Sequence, residues 1–71
     1  MLNRPLLLSQ LALHEMTRSA LAEKLGWSKS TLYRKINGKT DFTAQEIDKC
    51  YEVLELSADM ASAIFFSREM S

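Results

Sequence analysis

An all-α fold is predicted for this 71-residue chain, and three observations predict it. Apolar residues recur at helical spacing along the whole sequence. Thr17, Ser28, Thr43 and Ser57 each stand before such a stretch, and their hydroxyls suit a helix N-cap. Two glycines and one proline leave little turn chemistry for hairpins, and β-type alternation is absent. Five short helices on one core, forming one domain over residues 1–71, is the expected architecture.

Helix 1 is expected to start near Pro5, a residue favoured at the first helical position, with Asn3 or Arg4 before it. Leu8, Leu11, Ala12 and Met16 then share a face. Helix 2 is expected from the Thr17 cap, with Met16 and Leu21 as a hydrophobic staple. Its inner residues are Leu21, Ala22 and Leu25, and Gly26 ends it. Helix 3 follows the Ser28 cap, with Trp27 and Leu32 as staple and Leu32 and Ile36 inside. Asn37-Gly38 stops it. Helix 4 has the clearest start, a capping box of Thr43 and Glu46 with Phe42 and Ile47 as staple. Ile47, Cys50, Tyr51 and Leu54 form its expected inner stripe. Helix 5 starts at Ser57 and turns Met60, Ala61, Ile64 and Phe65 inward.

Charge is zero overall but unevenly spread. From Thr17 to Lys39 six positive residues meet only Glu23. From Thr40 to Ser71 seven acidic residues outnumber Lys49 and Arg68. A basic middle and an acidic C-terminal half suggest one face for phosphate and another for something else. The single cysteine, Cys50, forms no intrachain disulfide and reads as a small buried hydrophobe, in keeping with a reducing cytoplasm. His14 lacks partners at ligand spacing, and the serines lack a nearby base. We therefore expect no metal, no cofactor, no small-molecule substrate and no enzyme activity. No run of about 18 apolar residues is present, so no membrane partner is expected.

The segment TRSALAEKLGWSKSTLYRKINGK carries the functional reading. Two short helices joined by a tight turn with glycine make a helix-turn-helix. Small Ala22 lets the helices approach, and Lys29, Ser30, Tyr33, Arg34 and, at one edge, Lys35 remain outside on helix 3. Such donors reach base edges or phosphates in a major groove. The run MTRSALAEKLGWSKSTLYRKINGK, the later F-T-A-x-E-I and the final L-S-A-D-M…FF resemble the lambda-repressor-like, or XRE-type, family of phage and bacterial regulators. The resemblance covers roughly Leu8 to Phe66.

It implies a compact five-helix DNA-binding domain that reads double-stranded DNA with helix 3. Lys29, Ser30 and Arg34 then read bases. Tyr33, exposed beside them on helix 3, either joins them at a thymine methyl or the backbone or packs at the rim. Arg18, Ser28, Thr31, Lys35, Asn37 and Lys39 then meet phosphate. The sequence departs from the family pattern at Ala20, usually glutamate, at Arg18, often glutamine, and at Glu15, frequently glycine. Ile64, Phe65, Phe66 and Met70 form the candidate protein interface, because adjacent phenylalanines are hard to bury together in so small a domain. A homodimer or a phage repressor is the partner that surface suggests. The resulting expectation is a Cro- or repressor-like regulator of a phage or mobile element, of the lysis-lysogeny type, in the cytoplasm or at the nucleoid of a bacterial host. The alternative is an antirepressor that binds a phage repressor through the same fold, with an antitoxin-like regulator as a third option.

Overall fold

The computed structural model describes residues 2–66. Five helices follow in order: α1 (Arg4–Leu13), α2 (Arg18–Leu25), α3 (Lys29–Ile36), α4 (Ala44–Val53) and α5 (Ala58–Phe65). No strand occurs among the described residues. α2 packs on α3 and on α4, while α1 packs on α5, which also meets α4.

Each helix begins where a side chain satisfies its first free amides. Asn3 accepts from the Leu6 amide at 3.2 Å, Thr17 from Ala20 at 3.0 Å, and Ser28 from Thr31 at 3.2 Å. Thr43 and Ser57 cap α4 and α5 in the same way. The capping box is complete, because the Thr43 amide also donates to Glu46 Oε1 at 2.8 Å.

The first four helices end alike. A residue with positive φ follows each one, and the next amide reaches back five residues: Met16 to Leu11, Trp27 to Ala22, Lys39 to Arg34 and Leu56 to Tyr51. This double closure of the last turn favours glycine at the left-handed position. Gly26 (φ 78°) and Gly38 (φ 81°) supply it at two ends, but Glu15 (φ 52°) and Glu55 (φ 50°) stand at the others. A side chain there strains the backbone by about 1–2 kcal/mol. Replacing Glu15 with glycine (E15G) is therefore expected to stabilise the fold by roughly 0.5–1 kcal/mol, part of the relief being offset by a freer unfolded chain. Urea denaturation checks this, and an unchanged or lower midpoint would contradict it.

The core joins all five helices through Leu7, Leu11, Leu21, Leu25, Leu32, Ile36, Cys50, Leu54, Leu56 and Ile64, with smaller contributions between them. On α1 the structure buries Leu7 with Leu11, leaves Leu8 and Met16 half-buried, and exposes Ala12. Apolar residues surround this helix, so periodicity alone does not choose its inner face. The inner face is the one that packs on α5, where the Asn3 amide donates to the Ile64 carbonyl at 2.6 Å. On α4, Tyr51 is exposed and Ile47 half-buried, so the expected stripe narrows to Cys50 and Leu54. Burial pushes the Cys50 thiol up to about 12, so it stays a neutral core group at ordinary pH.

An aromatic run fixes the α3–α4 corner. Trp27 and Phe42 lie 5.9 Å apart between ring centroids, and Phe42 and Phe65 5.2 Å apart.

Candidate nucleic-acid interface

The α2–α3 pair is held from beneath. Leu21, Ala22 and Leu25 of α2 and Leu32 and Ile36 of α3 are all buried. With those positions turned inward, Lys29, Ser30, Tyr33 and Arg34 are left exposed along one outer stripe of α3. Asn37, Gly38 and Lys39 continue it past the helix end. A helix of about 10–12 Å diameter with its side chains fits a major groove about 12 Å wide.

Charge on this stripe is available to a ligand. Among the described residues one ion pair is present, Lys35 with Glu46, so Arg18, Lys29, Arg34 and Lys39 face no described carboxylate at contact distance. Arg18, the first residue of α2, is half-buried, and its guanidinium carbon sits 5.6 Å from the centre of the Tyr33 ring. Ser28 is exposed but already occupied, because its hydroxyl accepts from the Thr31 amide and donates to Thr31 Oγ1 at 3.0 Å. Thr31 is half-buried beside it and retains its own hydroxyl hydrogen as a donor.

Lys35 departs from the expected set. Its ammonium donates to Glu46 Oε1 at 2.8 Å and to the Asp41 carbonyl at 2.9 Å. It also lies over the Trp27 and Phe42 rings, at 5.5 and 5.8 Å. With its side chain 11% exposed, Lys35 is spent on joining α3 to the start of α4 rather than offered to phosphate. Its position one step round from Arg34 carries no sign of this; the signal is Glu46, eleven residues on.

The Lys35 hydrogen bond, followed by that from the Thr43 amide, holds the Glu46 carboxyl below its ordinary value of 4.5. A depressed carboxylate pKa stabilises the fold above the unfolded value and loses that contribution as pH falls through the folded one. The loss therefore begins near pH 4.5 and deepens below it. Glu46→Gln keeps a capping side chain but removes the charge. It is expected to lower stability by about 0.2–1 kcal/mol at pH 7 and to flatten the acid limb. Thermal unfolding between pH 3 and 7, roughly the span over which a carboxylate titrates, checks both; an equally steep acid limb in the variant would contradict the assignment.

The candidate protein interface is also corrected. Ile64 and Phe65 lie in the core, 0% and 6% exposed, because α5 closes on α1 and on the Phe42 ring. Phe66 alone of the described group is outside, at 61% exposure, and Met70 lies outside the described residues. Phe66 borders a groove shared with Leu2, Arg4, Ile36, Asp41 and Phe42. Sequence reasoning also missed Lys49, whose ammonium donates to the Leu25 carbonyl at 3.3 Å and so ties α4 to the end of α2. No periodic signal marks that role. Among the described residues no three His, Cys, Asp or Glu gather where they would hold a metal ion.

Comparison with family models assigns residues 9–64, well over half of the chain, to a helix-turn-helix domain. The chain belongs to the helix-turn-helix domain family. A search of the curated proteins found no match, and neither did a search of the solved structures. In this helix-turn-helix protein the matched region contains α2 and α3 whole, with all of the exposed basic stripe. The match accords with the lambda-repressor-like pattern of the Thr17–Lys39 segment. Helix-turn-helix domains bind DNA, with the second helix of the pair in the major groove. No helix among the described residues is long and apolar enough to cross a membrane.

Proposed function

We propose that this helix-turn-helix protein is a sequence-specific transcription regulator that lays α3 in the major groove of a short operator. The observation that carries the reading is the exposed stripe of α3, whose cations are free of described carboxylates while Lys35 beside them is neutralised by Glu46. In this reading Lys29, Ser30 and Arg34 contact base edges. Arg18, Thr31, the Asn37–Lys39 segment and the exposed Ser28 contact phosphate. Arginine and lysine suit guanine O6 and N7, so a guanine-containing half-site is expected. A dimer would place two such half-sites about 34 Å apart. The phage-type, Cro- or repressor-like role rests on the resemblance of the Thr17–Lys39 segment alone.

The test is selection of duplexes from a random pool, followed by binding at about 50 and 200 mM salt. With Arg18 and Lys39 neutralising about two phosphates per copy, affinity should fall roughly ten-fold between those salts for one bound copy and roughly 100- to 300-fold for a dimer. A defined motif with that slope is the expected result. Binding that selects no motif would overturn it.

One observation favours a second reading, a protein-binding antirepressor: exposed Phe66 beside a groove lined by Leu2, Ile36 and Phe42 together with Arg4 and Asp41. In that case α3 would meet acidic groups of a repressor, and a stable complex with the cognate repressor would replace operator binding.

A further inference from the structure

Arg18 and Tyr33 come from different helices and meet on the outer side of the pair. Arg18 opens α2, and Tyr33 lies on the second turn of α3. The guanidinium carbon is 5.6 Å from the ring centre, within the range at which a cation is attracted to a π-face. The two residues line a shallow concavity with Ser19, Lys29 and Leu32, so a second cation shares the same depression. No described carboxylate pairs with either cation.

The kind of partner decides what Arg18 can do next. A carboxylate would hold the guanidinium by occupying its fork of N–H donors and cancelling its charge. A π-face holds it from one side and leaves the in-plane donors and the full charge free. The ring therefore restricts a long, rotamer-rich side chain without consuming what a phosphate needs. Tyr33 is correspondingly less available to a base, since Arg18 lies over its ring. It is still 44% exposed, which places the contact at the surface where a duplex would arrive.

We propose that Tyr33 is a positioning residue for Arg18, holding the guanidinium over its ring so that Arg18 closes on one backbone phosphate. This rests on the DNA-binding reading above. It reassigns Tyr33, whose place on the α3 stripe suggests a base contact, to the alignment of the phosphate anchor.

The experiment uses the full chain and a duplex selected by the wild-type protein. Arg18→Ala, Tyr33→Phe, Tyr33→Leu and the Arg18→Ala/Tyr33→Leu double variant are compared across a salt series, with circular dichroism to confirm that each is folded. Arg18→Ala is expected to flatten the slope of log K against log salt by about one. Tyr33→Leu is expected to weaken binding about two- to five-fold, on every sequence alike, as the loss of an exposed cation–π contact implies. Tyr33→Phe keeps the π-face and should bind as wild type. The double variant should bind no worse than Arg18→Ala alone. Losses that multiply in the double variant would overturn the pairing, and so would Tyr33→Phe binding as poorly as Tyr33→Leu, which would mark the hydroxyl as a direct reader. Either result, with wild-type binding intact, leaves the DNA-binding reading standing. A wild type that selects no duplex overturns both.

Discussion

Arg34→Ala is expected to abolish the preference for guanine at one position of the half-site, a loss of about 1–3 kcal/mol or roughly five- to 160-fold in discrimination. Arg34 is exposed on the outer stripe of α3, one turn beyond Ser30, and no described carboxylate holds it back. Its planar fork matches the two acceptors of guanine, and alanine offers nothing in their place. Binding to unrelated duplexes should change far less, because that term comes from phosphate contacts made elsewhere. Repeating the selection with the variant checks this. The same motif at undiminished information would remove Arg34 from the reading set. Arg18→Ala gives the contrasting pattern, a uniform loss across sequences with a shallower salt slope.

Leu32→Ala is expected to destabilise the domain by about 2–5 kcal/mol, the range for a large aliphatic core side chain cut to a methyl. Leu32 is buried beneath the very helix that carries Lys29, Ser30 and Arg34, in the core against which Trp27 also packs. A domain of 71 residues has only about 4–10 kcal/mol of net stability, so one such cavity removes a large share of it. At about 3 kcal/mol the thermal midpoint should fall by roughly 12–24 °C. Operator binding should weaken in parallel, since the reading helix rests on this core contact. A midpoint within a few degrees of wild type would show that α3 does not depend on this contact.

Helix starts were readable in the sequence because N-caps are local. Thr17, Ser28, Thr43 and Ser57 satisfy amides three residues on, whatever surrounds them. The stop at Gly26 was readable for the same reason, since a left-handed residue after α2 calls for glycine. In the sequence Glu15 stands out only as a departure from a family pattern. Its positive φ shows that the backbone needs the left-handed turn there despite the side chain.

What sequence could not supply was long-range choice. On α1 the inner face is set by α5, and nothing near Leu7 and Leu8 distinguishes them. Lys35 reads as one more exposed cation until α4 brings Glu46 within 2.8 Å of it. Ile64 and Phe65 read both as the inner face of α5 and as part of an exposed apolar group, because adjacent phenylalanines are hard to hide together. The fold divides them, with Phe65 against Phe42 and Phe66 left outside. The contact between Arg18 and Tyr33 spans fifteen residues and two helices, so only the folded chain shows it.

The central claim is that the outer stripe of α3, with the start of α2, is the face that meets DNA. Its most direct test is a nuclear magnetic resonance titration of the labelled chain with a selected duplex, following each backbone amide. The account predicts that shifts concentrate on Arg18, on Ser28–Arg34 and on Asn37–Lys39, while the acidic surface of α4 at Asp48 and Glu52 stays unmoved. Shifts centred instead on Phe66 and the groove beside Leu2 and Arg4, with α3 silent, would contradict it.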